Sequence, residues 1–149
     1  MKLNELTLKK AIDLLHKKEI SLKDIYLDTL RVVNEKNKEL NIYLSLDKNA
    51  EIEAGKQKDK PLRGLPVAVK DNFLTVGLPT TAATKLLGGF LPPYESTVTK
   101  RLKQSGGVVI GKTNMDAWAH GSSTETSDHG PTKNPRNSKY LHGGSPGGS

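Results

Sequence analysis

The sequence predicts an α/β fold in which N-terminal helices lead into part of a helix-covered β-sheet. Three observations carry this. Two apolar stripes at helical spacing occur within the first 33 residues, each preceded by a hydroxyl residue. Two short apolar runs, Val67-Ala68-Val69 and Val108-Val109-Ile110, have the length and β-branched content of buried strands. One helix-like segment separates them, and a strand–helix–strand succession implies a right-handed crossover in a largely parallel sheet covered on both faces.

Taken in order, Thr7 is placed to cap a helix carrying Leu8, Ile12 and Leu15 on one stripe. Ser21 followed by Asp24 is a capping-box analogue for a second helix, with Leu22, Ile25, Tyr26, Leu30 and Val33 on its apolar face. Residues 41–46 read as a short strand, and the polar stretch 47–58 as a surface helix followed by a loop. Pro66 and the polar Lys70-Asp71-Asn72 bound the first apolar run, which reads as a buried strand ending at a site. Ser96 opens a helix with Val98 and Leu102 inward, closed by Gly106-Gly107. The second apolar run follows. Asp116 begins a short helix through Trp118, and the remainder is mostly polar loop. The helical part covers about 1–60 and the start of the core about 61–149, within a single domain.

Composition narrows the classes. Only 34% of the 149 residues are hydrophobic and 5% aromatic, so the core is thin. The formal charge of +7 is compatible with phosphate binding or simply with a lysine-rich surface. No aromatic–basic interleaving of an RNA-reading platform is present. There is no cysteine, which excludes disulfides, thiol catalysis and cysteine-ligated metal. His120, His129 and His142 lack a metal-ligand spacing. The N-terminus has no apolar leader and no window reaches membrane-spanning length, so the cytoplasm is the expected compartment.

Residues 106–113, Gly-Gly-Val-Val-Ile-Gly-Lys-Thr, formally fit the phosphate-loop pattern GxxxxGK[ST]. The physics argues otherwise. Val108, Val109 and Ile110 stand where a phosphate loop needs open amides, and they prefer extended backbone with buried side chains.

Two other features point to chemistry. Lys70 directly follows an apolar run, and a lysine drawn out of water can act as a base. The stretch Gly143-Gly144-Ser145-Pro146-Gly147-Gly148-Ser149 suits close approach of backbone amides to an anion, and equally suits a linker. A serine hydroxyl needs a neighbouring base to attack at neutral pH. Asp71 and Asn72 either hydrogen-bond around Lys70 or terminate its strand. Ser122, Ser123 and Thr124 either line a pocket or satisfy their own loop.

Six segments in order, Gly64–Asn72, Pro79–Thr81, Gly111–Asp116, Gly121–Glu125, Gly130–Pro135 and Gly143–Ser149, closely resemble the amidase-signature family. The resemblance covers about residues 5–149 and is dense from Gly64 onward. It implies a large mixed β-sheet surrounded by helices and a Ser–cis-Ser–Lys triad. In that triad Lys70 matches the general base and Ser145 the bridging cis-serine. The family's acylated serine lies in a later glycine-rich stretch, so the expectation is that these 149 residues hold two members of the triad, lack the nucleophile and are inactive alone. The family's usual Gly-Gly-Ser-Ser-Gly-Gly-Ser has proline here at Pro146, which deletes a backbone donor and a hydroxyl.

Within the family the motifs 112–116 and 121–125 look like the branch that supplies the glutaminase component, the A component, of tRNA-dependent amidotransferases. That likeness implies hydrolysis of glutamine to release ammonia, which a B subunit uses to amidate misacylated glutamyl-tRNA, and in some cases aspartyl-tRNA. The implied partners are B and C subunits in a heterotrimer, with misacylated tRNA met mainly through the B subunit and no membrane involved. The implied cofactors are none in this chain, with ATP and magnesium at the B subunit. The alternatives are a stand-alone amidase of the same family and a non-catalytic truncated module that binds the B and C subunits.

Overall fold

The computed structural model describes residues 2–143. After a single 3-10 turn at Leu3–Glu5, the chain forms α1 (Leu8–His16), α2 (Leu22–Leu40), β1 (Tyr43–Leu46), α3 (Ala50–Gly55), β2 (Pro66–Lys70), α4 (Thr97–Gln104) and β3 (Val108–Thr113). A second 3-10 turn follows at Ala117–Ala119.

The helix starts follow the side-chain chemistry. The Thr7 hydroxyl accepts from the Lys10 amide, and Ser21 and Asp24 cap each other's backbone in a complete capping box. Ser96 accepts from the Thr99 amide. At the far end of α4, Gly106 adopts φ +85°. The Gly106 and Gly107 amides donate to the Lys103 and Leu102 carbonyls at 3.0 and 3.1 Å, a complete Schellman stop.

Several faces differ from their expected direction. On α1 it is Ala11 and Leu14 that are buried, with Ile12 and Leu15 packed at the margin and Leu8 exposed. On α4 Val98 is exposed and Thr99 is buried, because the Thr99 hydroxyl donates to the Leu74 carbonyl at 2.7 Å. Asn41 does not begin a strand. It is the left-handed C-cap of α2 at φ 55°, and Asn37 holds the turn by accepting from the Ile42 and Tyr43 amides at 3.0 and 2.7 Å. The polar segment expected at the surface is anchored by two buried alanines, Ala50 and Ala54 of α3.

Among the described residues the sheet has the order β1-β3-β2. β2 runs parallel to β3 and β1 antiparallel to it, so the sheet is mixed rather than largely parallel. Every residue of β3 is buried, whereas β2 lies outermost in this order and only Val69 of it is fully buried. Both faces are covered. Val108 and Ile110 pack with Tyr26 of α2 and the α3 alanines. Val109 packs oppositely with Val69, Leu78, Phe73 and Leu102 of α4.

A bulge interrupts this alternation. Val67 pairs with Val109, yet Ala68 pairs with Gly111, which leaves Ile110 as an extra residue on β3. Beyond it Val69 pairs with Lys112, so Lys112 lands on the face of Val69 and Val109 instead of the face of Ile110. One inserted residue therefore moves Lys112 from the face of Tyr26 and the α3 alanines to the face of Val69 and Val109.

Gly111 makes the close approach of β1 possible. A Cβ there would lie 2.5 Å from the Ser45 carbonyl oxygen and 2.8 Å from the Tyr43 ring. Gly111→Ala should lower unfolding stability by about 1–3 kcal/mol through overpacking of the central strand. Denaturant midpoints of the full-length protein measure this, and an unchanged midpoint would contradict the packing assigned to Gly111.

Candidate active site

The site is built at the carboxyl end of β2 and the residues that follow β3. Lys70 is the last residue of β2, half-buried, and pairs in register with Thr113. Its carbonyl accepts from the Phe73 amide at 3.1 Å, so the chain turns immediately after it.

Asp71 is buried and gathers the next segment. Its Oδ2 accepts from the Thr81 amide at 3.0 Å, the Ala83 amide at 3.2 Å and the Thr81 hydroxyl. Its Oδ1 lies 3.4 Å from Lys112 Nζ. Lys112 is fully buried, and Nζ also donates to the Phe73 carbonyl at 2.9 Å and to Thr80 Oγ1 at 2.8 Å. Three acceptors match the three donors of an ammonium. Burial pulls the Lys112 ammonium below the usual lysine range, and the Asp71 carboxylate opposes that pull.

The phosphate-loop pattern is thereby excluded as a nucleotide cradle. Residues 108–113 are one continuous strand, and the lysine of the pattern is committed to Asp71, Phe73 and Thr80.

Two further buried side chains repeat this arrangement at alternate positions. Asn114 Nδ2 donates to the Gly130 carbonyl at 2.8 Å and to Thr132 Oγ1 at 3.2 Å, while its Oδ1 accepts from the Ser127 hydroxyl at 2.7 Å. Asp116 Oδ2 accepts from the Ser123 and Thr124 amides at 3.1 and 2.9 Å, and Oδ1 from the Thr126 hydroxyl at 3.0 Å. Burial alone would raise the Asp116 carboxyl, but these hydrogen bonds outweigh it and hold the group below the usual carboxylate range. Lys112, Asn114 and Asp116 thus pin residues 71–83, 127–132 and 121–126 respectively. In the sequence, 112–116 stands out as a motif but its side chains have no assigned role. The signal was the alternation of polar residues just past a buried strand.

The residues expected to carry chemistry fall in three places. Lys70 stands at the end of β2 as described. Ser145, with Pro146, lies outside the described residues. Ser122 is exposed and Ser123 partly buried, its hydroxyl donating to Glu125 at 2.7 Å. Thr124 is fully buried, and its hydroxyl oxygen accepts from the Thr132 amide at 2.8 Å. The Thr124 hydroxyl also donates to the Ser123 carbonyl, so both of these partners are backbone groups. Asp71 directly follows the end of β2 and bonds to Thr81, Ala83 and Lys112. Among the described residues no group of three or more His, Asp or Glu side chains is arranged to hold a metal ion. No helix of the described residues is long and apolar enough to cross a membrane.

The Asp116 network implies acid lability. Its folded-state pKa is depressed, so the stability it contributes is present above the ordinary carboxylate range and is lost as pH falls through and below it. Asp116→Asn should destabilise by about 1–3 kcal/mol at neutral pH, and the gap to wild type should narrow as pH falls toward about 3. Unfolding midpoints across that range check this; a gap independent of pH would contradict it.

Comparison with known proteins places this geometry. A family model described as Amidase matches residues 25–149. The A subunit of the glutamyl-tRNA(Gln) amidotransferase of Prochlorococcus marinus is 46% identical over 140 residues, covering 88% of this chain and 29% of its own. Its namesake from Halothermothrix orenii is 43% identical across 100% of this chain and 31% of its own. Among solved structures, the glutamyl-tRNA(Gln) amidotransferase A subunit of Thermotoga maritima superimposes with a TM-score of 0.85 at 33% identity, over 100% of this chain and 31% of that one. The chain thus spans about three-tenths of the length of these relatives. On the family match, the identity and the shared fold, the chain belongs to the amidase-signature family.

Proposed function

We propose that this chain is the base-bearing N-terminal part of the A subunit of a glutamyl-tRNA(Gln) amidotransferase, the component that hydrolyses glutamine and releases ammonia. The observation that carries this reading is identity of 43–46% to A subunits over nearly all of the chain. The position of Lys70 at the end of a strand, beside a rigid polar framework, supports it.

In the proposed mechanism the Lys70 amine accepts a proton by way of the Ser145 hydroxyl, which both donates and accepts. The proton comes from the nucleophilic serine that the family carries further along the chain. That oxygen attacks the side-chain amide carbon of glutamine, and the amide nitrogen leaves as ammonia with a proton returned along the same relay. Water, deprotonated the same way, then releases glutamate from the acyl-serine. The ammonia passes to a B subunit, which activates the misacylated glutamyl-tRNA with ATP and magnesium. A C subunit completes the assembly, and the reaction belongs to the cytoplasm. On this reading residues 1–149 supply base and bridge, the family's nucleophile lies further along, and they turn over no glutamine alone.

Ammonia release by the full-length protein tests the reading, with glutamine and simple aliphatic amides as competing substrates. Glutamine hydrolysis abolished by Lys70→Ala is expected, because the serine then lacks its base; losses on the order of 1,000-fold or more are typical of removed triad members in other serine hydrolases. Vigorous cleavage of simple amides with no glutamine hydrolysis would instead establish a stand-alone amidase.

A further inference from the structure

We propose that Asp71 and Lys112 are positioning residues for Lys70: the buried ion pair fixes the backbone from which the base is aimed. The proposal rests on Lys70 being the base.

The backbone of Lys70 is held on its amino-terminal side by the β2–β3 ladder and continues on its other side into the turn that follows. The constraints on that turn converge on the pair. The Asp71 amide donates to the Thr113 carbonyl at 3.1 Å, and the Asp71 carbonyl accepts from the Ala82 amide at 3.2 Å. Lys112 reaches the same turn from β3 through the Phe73 carbonyl, and through Thr80 and Asp71 it ties the turn to residues 80–83. The Lys70 side chain is rooted in this backbone, so a shift of the turn displaces its Cβ and misplaces the amine relative to its partners.

The partner segment carries backbone strain that needs an external holder. Ala82 and Ala83 both adopt left-handed φ, 49° and 55°. Consecutive alanines in that region persist only where surroundings over-determine them. The Asp71 carboxylate does so, accepting from the amides of Thr81 and Ala83 on either side of Ala82. Such a loop of inward amides is an anion-binding concavity, here filled by the protein's own carboxylate.

Stability alone does not account for the pair. A buried ion pair is often matched or exceeded in stability by apolar residues of similar volume. What apolar residues lack is directionality. The three donors of Lys112 and the acceptor sites of Asp71 each point at one atom, which defines a single arrangement of the turn.

The test uses the full-length protein, glutamine as substrate, and four variants: Lys70→Ala, Lys112→Met, Asp71→Asn and the Asp71→Asn/Lys112→Met pair. Lys112→Met should lower kcat on the order of 100-fold, the scale of a misplaced catalytic group, with KM little changed. The double variant leaves no unpaired buried charge, so its thermal midpoint should recover toward wild type while kcat stays low. Should Lys112→Met alone not fold, the double variant decides. A double variant that recovers kcat together with its midpoint would show a purely structural pair and overturn the proposal, as would a folded Lys112→Met with wild-type kcat. Retained activity in Lys70→Ala overturns the base assignment and the proposal with it. Loss in Lys70→Ala beside wild-type kcat in the Lys112 variant overturns the positioning role only.

Discussion

The contact on which the rest of this structure depends is the buried pairing of Lys112 with Asp71. β3 is wholly buried, and a lysine there is tolerable only if its charge is met in place. The bulge at Ile110 decides the direction of that lysine. Without it the alternation of β3 would send position 112 toward Tyr26 and the α3 alanines, the apolar cluster on the opposite face. With it, Lys112 meets the carboxylate that directly follows the candidate base. Removing a single member of such a pair strands a buried charge, a loss of about 3–5 kcal/mol in comparable proteins.

The same device recurs down the chain. Lys112, Asn114 and Asp116 each leave the end of the central strand to saturate a different polar segment. Together they turn a stretch poor in regular structure, residues 114–132, into a defined wall beyond the sheet. A thin apolar core and a framework of hydrogen-bonded side chains are complementary. Hydrophobic packing sets the three strands and their helices, and buried polar side chains set the loops around the site. The left-handed alanines at 82 and 83 are the visible consequence. Their geometry is imposed from outside by Asp71, not chosen by local preference.

Much of this was legible in the sequence, for identifiable reasons. Thr7, Ser21 and Ser96 mark their helix starts because an N-cap is a local interaction, readable within four residues. Val108–Ile110 and Val67–Val69 mark strands because apolar β-branched runs have few other uses. What escaped was non-local. Thr99 displaced Val98 from the interior because its hydroxyl found the Leu74 carbonyl, a contact 25 residues away. Asn41 became a helix terminus because Asn37 reached over the turn. The antiparallel β1 could not be foreseen from the parallel β2–α4–β3 unit. Motif likeness identified Lys112–Asp116 as a signature, but only the bulge and the distant acceptors reveal that its polar residues are internal pins.

Three polar side chains, at the end of β3 and just beyond it, couple the surrounding loops to the central strand as one unit. Native-state amide hydrogen exchange on the full-length protein tests it most directly, read at Thr81 and Ala83, held by Asp71, and at Ser123 and Thr124, held by Asp116. These loop amides should exchange as slowly as the amides of Val109 and Lys112, opening only with the strand itself. Rapid exchange at Thr81, Ala83 and Thr124 beside a protected β3 would show loops that move independently and would contradict the account.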